Sequence, residues 1–466
     1  MKTAVILAGG KGTRLAEVRS DVPKPMMPVL GKPLLAYQID LLKAHGFTTV
    51  WLIVNHMYEH IESYFSDGKD CGVDIKYYVE EKPLGTVGGV KAIEAQLKEP
   101  FMVIYGDVLM DMDLSRLVAF HQNKNADATL VVHPNDHPYD SDLLAVDNQG
   151  RVTAFYAKPH PEGLRYRNLV NAAAYVFDPV VLEHLEPGVK ADFGKDIFPT
   201  LHSKLNVFAY NTPEYLKDMG TPDRLEKVEE ALKSGKVAAR NLNNKQRCVF
   251  LDRDGVINID TDLIDRPEDL ELYPYAASSI RRLNKMGFLV VVVTNQSVIA
   301  RGLCTIATLD EIHKKMETEL GQDGAFVEAI YYCPHHPHSG YEGEIKEFKV
   351  ECSCRKPKPG MLLEAADRFN IDLTQSYLVG DSPRDMEAGA NAGVETIRVK
   401  TGHGLKPHTT VPKHYVEDLV SAVDLIAVSY THLRAHETLM NLVCRLLLEK
   451  KRIARSYSWR RTRSWI

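Results

Sequence analysis

Short apolar runs alternate with stretches in which apolar residues recur every three or four positions, and this alternation occurs twice. In the first series Ala4–Ala8, Val50–Val54 and Phe101–Tyr105 are runs of strand length, whereas Leu34–Ala44 and Val90–Leu97 carry helical spacing. Runs apolar on both faces suit parallel strands covered by helices, so the rhythm predicts a doubly wound α/β domain. From Ala231 to Gln246 the chain turns polar (ALKSGKVAARNLNNKQ), which predicts the end of a helix and then a linker. A second α/β series follows, with strands at Cys248–Leu251, Phe288–Val293 and Tyr377–Val379 and a helix at Ala277–Met286. The expected organisation is a domain over 1–235, a linker over 236–246 and a second domain over 247–428. No repeat relates the two halves.

Composition adds three points. The formal charge of −5 gives no reason to expect nucleic acid as a partner. Ser429–Ile466 holds nine Lys/Arg against two Asp/Glu and loses the strand-helix rhythm. This segment, 429–466, reads as a non-native tail, adaptor or read-through sequence, with a native amphipathic helix as the alternative. The seven cysteines are too sparse and odd in number for a disulfide framework. The N-terminus lacks signal-peptide character, and no apolar run reaches the roughly eighteen residues of a membrane span. A cytoplasmic protein without a membrane partner is expected, and the sequence gives no oligomeric state.

The chemistry of the first series begins where its first strand ends, at Leu7-Ala8-Gly9-Gly10-Lys11-Gly12-Thr13-Arg14-Leu15. Glycines let backbone N–H groups approach phosphate oxygens, and an arginine adds charge-assisted bonds. A plain strand-to-helix turn looks similar, so the loop alone is weak. It is accompanied by Lys24 braced in Val22-Pro23-Lys24-Pro25-Met26, by Pro83-Leu84-Gly85-Thr86, and by Tyr105-Gly106-Asp107. With Asn171-Ala172-Ala173-Ala174-Tyr175 and Asp218-Met219-Gly220-Thr221-Pro222, these motifs in this order resemble the sugar-1-phosphate nucleotidyltransferase family.

The resemblance implies a Rossmann-like, GT-A-like domain in which a sugar phosphate attacks the α-phosphorus of a nucleoside triphosphate and pyrophosphate leaves. It implies that Gly9, Gly10, Gly12 and Thr13 cradle the triphosphate and that Arg14 and Lys24 stabilise phosphate charge. Asp107 and Asp218 would hold Mg²⁺, Gly85 and Thr86 would meet the base or ribose by backbone and hydroxyl, Lys158 would bind the sugar phosphate, and Asn171 would face the sugar. Asp218 also suits a helix N-cap. Two departures stand out. Ala157 occupies a position where relatives often carry glutamate, and Val87 one where glycine is common.

The second series opens with Phe250-Leu251-Asp252-Arg253-Asp254-Gly255. Two carboxylates, two residues apart and directly after a strand, suit nucleophilic attack on phosphorus by the first and proton transfer by the second. Val293-Thr294-Asn295-Gln296-Ser297, Arg355-Lys356-Pro357-Lys358 and Gly380-Asp381-Ser382-Pro383-Arg384-Asp385 follow. Together they resemble the haloacid-dehalogenase (HAD) type phosphatases. That resemblance implies a HAD-like Rossmannoid domain. Asp252 would be the nucleophile and Asp254 the general acid and base. Thr294, Asn295, Arg355 and Lys356 would bind the phosphoryl group. Mg²⁺ would sit on Asp252, Asp381 and the main chain at Asp254.

Cys333, His335, Cys352 and Cys354 supply the ligand count of a closed structural zinc site around one polar loop. Such a loop running into Arg355-Lys356-Pro357 resembles the heptose-bisphosphate and histidinol-phosphate phosphatases. Ser20–Met26 resembles the heptose-1-phosphate guanylyltransferases. The fusion therefore implies removal of the 7-phosphate from D-glycero-D-manno-heptose 1,7-bisphosphate, then nucleotidyl transfer to the heptose 1-phosphate, with GTP favoured as donor. Competing readings are a mannose- or glucose-1-phosphate nucleotidyltransferase, a histidinol-phosphate phosphatase half, and a non-catalytic sugar-nucleotide sensor domain.

Overall fold

A computed structural model of the chain describes residues 1–10, 21–340, 342–406 and 412–431. In the first domain the strand Thr3–Leu7 lies between Phe101–Tyr105 and Thr49–Val54, both parallel to it, and Asp74–Val79 extends the parallel set. Alternate side chains serve opposite faces. Ala4, Ile6 and Ala8 enter one core with the helix Leu34–Ala44, while Val5 enters the other. This is why the run reads as continuously apolar. The sheet is mixed rather than uniformly parallel, because Val170–Phe177 runs antiparallel to Phe101–Tyr105. Val90–Leu97, expected as one helix, is instead the end of a short helix Gly88–Ala92 followed by a 3₁₀ turn Glu94–Gln96.

The second domain has a six-stranded, wholly parallel sheet. Its order is Ala329–Cys333, Leu289–Asn295, Cys248–Leu251, Tyr377–Gly380, Glu395–Val399 and His414–Val416. Chain order reverses at Cys248–Leu251, so the loops after it and after Tyr377–Gly380 diverge over a crevice at the strands' C-terminal edge. Open α/β sheets bind ligands in such crevices.

The polar 236–246 stretch is packed rather than loose. It contains a short helix, Lys236–Ala239. Val237 enters a core of the first domain and Leu242 one of the second. The buried Arg240 pairs with the buried Glu328 at 3.2 Å. The Gln246 amide donates to the carbonyls of Ala239, Asn241 and Asn244. Its polar residues satisfy the backbone of a tight turn, and that composition looks like a linker in sequence. At the other end, a helix over 419–431 crosses the boundary expected at 428. Tyr430 packs on Phe288 with ring centroids 5.4 Å apart. The remainder of the suspected tail lies outside the described residues.

Two carboxylate clusters and a cysteine cluster

In the first domain, Gly9 and Gly10 follow the strand Thr3–Leu7, and Gly106-Asp107 follow its neighbour Phe101–Tyr105. Asp107 forms an ion pair with Lys24, which sits in a 3₁₀ turn, Lys24–Met26, set by its flanking prolines. Asp218 comes to the same place by strand pairing. It lies opposite Val108, and the Met219 N–H donates to the Asp107 carbonyl at 2.8 Å. Burial alone would raise the Asp218 pKa, but the Arg224 guanidinium, the Gly220 N–H and Lys24 outweigh it and hold the carboxyl below its usual range. One Arg224 nitrogen reaches both Asp218 oxygens, at 2.5 and 2.7 Å. Thr221, not Asp218, is the N-cap of the following helix Pro222–Lys233. Two carboxylates and a lysine thus converge, and hard carboxylate oxygens of this kind suit magnesium. Gly12, Thr13 and Arg14 lie outside the described residues.

Gly85 has φ +78°, and a Cβ there would stand 2.2 Å from the Ala191 carbonyl oxygen. The Thr86 hydroxyl, expected at the base or ribose, has partners within the chain. It donates to Asp192 at 3.1 Å and accepts the Phe193 N–H at 2.9 Å, tying the Pro83–Thr86 loop to 191–193. Lys158, expected at the sugar phosphate, also has internal partners. Its ammonium binds the carbonyl and carboxylate of Asp140 at 3.0 and 3.2 Å. It lines a cleft of about 880 Å³ that contains none of Asp107, Asp218, Asp252 or Asp381. Asn171 donates to the Tyr175 hydroxyl at 3.0 Å, and its N–H reaches the Asp142 carbonyl at 2.9 Å. The Asp142 carboxylate, which the sequence did not flag, accepts the Lys158 N–H at 3.1 Å. It places an acid beside Ala157.

In the second domain, Asp252, Asp381 and Asp385 present carboxylate oxygens that lie within 4.8 Å of one another, all buried. Lys356, almost fully buried, forms ion pairs with Asp252 at 2.9 Å and Asp385 at 2.5 Å, and donates to the Val293 carbonyl at 2.8 Å. Asn295 clamps the Lys356 backbone in both directions at 3.0 Å. Burial and the neighbouring carboxylates push the Asp252 carboxyl far above its ordinary pKa and Asp381 up to about 7. Three acids facing one lysine leave a negative excess that a divalent cation would neutralise, so the residues fit magnesium. Gly255, at φ +79°, makes the turn possible, because a Cβ would stand 2.4 Å from the Asp381 carboxylate.

The Asp254 carboxylate lies outside this cluster, gripped by Arg253, Gln296 and Asn258. The Thr294 hydroxyl, at the strand end, accepts from Gln296 at 2.8 Å. Arg355 donates to the His335 carbonyl at 2.9 Å and so belongs as much to the cysteine loop as to the crevice. Asp385 was visible in the sequence only as one more acid of a helix start. Its role in holding Lys356 needs the fold.

Cys333, His335, Cys352 and Cys354 form the third cluster. The sulfur of Cys352 is 3.6 Å from that of Cys333 and 3.3 Å from that of Cys354. His335 Nδ1 stands 3.7 and 3.4 Å from Cys333 and Cys354. Tetrahedral zinc with ~2.3 Å bonds sets sulfurs ~3.8 Å apart. The group therefore has the size and donor set for one closed metal site. Among the described residues no helix is long and apolar enough to cross a membrane.

Comparison with known proteins agrees with this division. Residues 3–235 match the family model described as nucleotidyl transferase, and residues 353–422 match one described as HAD-hydrolase-like. A UTP–glucose-1-phosphate uridylyltransferase of Synechocystis is 35% identical over 245 residues, which are 49% of this chain and 63% of that protein. A mannose-1-phosphate guanylyltransferase of Mycobacterium tuberculosis is 34% identical over 223 residues, 47% of this chain and 61% of that protein. The chain thus spans less than two thirds of either. A D-glycero-beta-D-manno-heptose-1,7-bisphosphate 7-phosphatase of Escherichia coli is 44% identical over 160 residues, 34% of this chain and 82% of that protein.

Proposed function

The chain belongs to the nucleotidyl transferase family in its first half and to the HAD-type heptose-bisphosphate phosphatases in its second, and from that premise we propose that it performs two consecutive steps on one sugar. In the first step the 7-phosphate of a heptose 1,7-bisphosphate is removed. An Asp252 oxygen attacks phosphorus, the bond to the sugar oxygen breaks, and Asp254 gives its proton to that oxygen. Water then attacks the aspartyl phosphate, Asp254 takes the water's proton, and phosphate leaves with Asp252 restored. Lys356, fixed by Val293 and Asn295, balances charge on the phosphoryl oxygens. Magnesium, when bound on Asp252 and Asp381, supplies further charge neutralisation.

In the second step the released heptose 1-phosphate attacks the α-phosphorus of a nucleoside triphosphate, and pyrophosphate leaves. Catalysis of such a displacement is mainly positioning and charge compensation. Lys24 supplies fixed positive charge, joined by Arg14. Asp107 and Asp218 hold the metal. Asp142 offers the sugar-facing carboxylate that Ala157 cannot. In this reading the domain is of GT-A type, the cysteine cluster is a structural zinc site, and the enzyme works in the cytoplasm, where free thiols persist.

The observation that carries the proposal is the presence in one chain of two separate sheets, each presenting paired carboxylates and a fixed lysine at its edge. GTP is the favoured donor because Ser20–Met26 resembles the heptose-1-phosphate guanylyltransferases, although one relative is named for UTP and another for guanylyl transfer. Incubating the chain with Mg²⁺, each anomer of heptose 1-phosphate in competition with glucose 1-phosphate, and each of GTP, UTP, dTTP, ATP and CTP, with products identified by mass spectrometry, tests this. GDP-heptose as the main product supports the reading. A UDP- or dTDP-hexose formed in preference from glucose 1-phosphate refutes it.

A further inference from the structure

Arg253, between the two aspartates, has a side chain with no exposure at all. A buried guanidinium is stable only where its N–H groups find partners. Here Nε donates to one Asp254 oxygen at 3.0 Å, and a terminal nitrogen donates to the other at 3.1 Å. That nitrogen also reaches the Gln296 carbonyl oxygen at 3.0 Å, and the other terminal nitrogen faces His313 Nε2 at 3.3 Å. An arginine has no acceptor, so His313 accepts through Nε2 and is neutral. Burial, with Arg253 and Arg167 nearby, holds its pKa well below the ordinary value. Gln296 and Asn258, both buried, donate to the two Asp254 oxygens at 2.8 and 3.1 Å. Each oxygen is thereby fixed from two sides.

His313 stands on the long helix Ile306–Gln322. The first domain braces that helix. Arg167 pairs with Glu317, and with Asp310 at 3.2 Å, while the Tyr166 N–H donates to Thr318 at 2.9 Å. The ring that seats Arg253 is thus carried by an element anchored on the other catalytic domain.

We infer that Arg253, seated on His313, is the positioning residue that aims the Asp254 carboxyl at the leaving oxygen of the phosphate ester. The inference rests on the reading of Asp254 as proton donor. Proton transfer matters when the leaving oxygen is a basic sugar alkoxide and matters little for nitrophenolate, so substrate choice separates positioning from general structural support.

The test compares heptose 1,7-bisphosphate with p-nitrophenyl phosphate in the full chain. His313→Leu removes the acceptor, His313→Gln keeps one, and Arg253→Met removes the grip. With heptose bisphosphate, the first-turnover release of heptose 1-phosphate, which reads formation of the aspartyl phosphate before Asp254 serves as base, slows about 30-fold or more in the Leu and Met variants. With p-nitrophenyl phosphate, the first-turnover burst of nitrophenolate changes less than about threefold, and His313→Gln recovers most of the loss on the sugar substrate. Equal losses on both substrates, or none on either, overturn the inference. Pyrophosphate release by the first domain and circular dichroism report folding in the same samples. Asp254→Asn is run alongside. If it too slows the first turnover of both substrates equally, the assignment of Asp254 as proton donor fails rather than the positioning by Arg253.

Discussion

Replacing Gly85 by alanine should disable nucleotidyl transfer while leaving phosphate release intact. Two costs combine. The residue sits at φ +78°, where an L side chain costs about 1–2 kcal/mol. The new Cβ would also stand 2.2 Å from the Ala191 oxygen, a backbone atom that must retreat by about 0.8 Å to reach even a tight 3.0 Å contact. That oxygen accepts the Thr86 N–H at 3.0 Å and the Val87 N–H at 3.2 Å, and the Ala191 N–H is bound to Leu84 at 3.1 Å. Straining two of these bonds adds about 1 kcal/mol each. A total of about 3 kcal/mol, expressed as displacement of the Pro83–Thr86 loop, corresponds to about a hundredfold loss in kcat/KM. Pyrophosphate release from heptose 1-phosphate and GTP measures the first activity, and phosphate release from heptose 1,7-bisphosphate measures the second. A loss below about threefold in the first, or a parallel loss in both, would show that the Gly85 backbone does not hold this loop for nucleotidyl transfer.

Three further outcomes follow from the described geometry. Arg167→Met strands the buried Glu317, at an expected cost of about 2–3 kcal/mol, or about 5–10 °C in the melting of the second domain. Adding Glu317→Leu should recover most of that loss, and a double variant as unstable as the single one would count against a buried ion pair. The chain should carry roughly one zinc per molecule by elemental analysis, lost in Cys352→Ser together with stability of the second domain but not pyrophosphate release. Zinc-free protein with unchanged melting would contradict this. Asp385→Asn should lower phosphate release by about tenfold or more by loosening Lys356, with KM little changed, since Asp385 is a buried partner of that lysine. Unaltered kcat would remove Asp385 from the site's support.

The strands were legible because buried parallel strands leave short apolar runs, and Phe101–Tyr105 and Cys248–Leu251 begin and end where the sequence indicates. The antiparallel Val170–Phe177 was not legible as such, since strand direction leaves no mark on composition. The 236–246 segment misled because amides that cap a buried turn look like solvated linker residues. Within the sites, motif residues such as Asp107, Lys24, Asp252, Lys356 and Asp381 stand out because each sits at a strand end or a proline-braced turn. Their partners do not. Arg224 reaches Asp218 from the next helix, Asp142 meets Lys158 across two strands, and His313 meets Arg253 from a helix sixty residues downstream. Such contacts depend on which helix packs over which strand. Thr86 is the reverse case, a motif hydroxyl that the fold spends on its own loop.

One chain with two independent phosphorus-centred sites should carry out both steps in sequence. The most direct measurement is a single reaction containing heptose 1,7-bisphosphate, Mg²⁺ and GTP, with phosphate and pyrophosphate followed separately. Asp252→Asn should abolish phosphate and, through lack of acceptor, pyrophosphate, and added heptose 1-phosphate should restore only the latter. Asp107→Ala should release phosphate at the normal rate and no pyrophosphate. If both products still appear in both variants, or if one substitution silences both even with heptose 1-phosphate supplied, the two-site account is wrong.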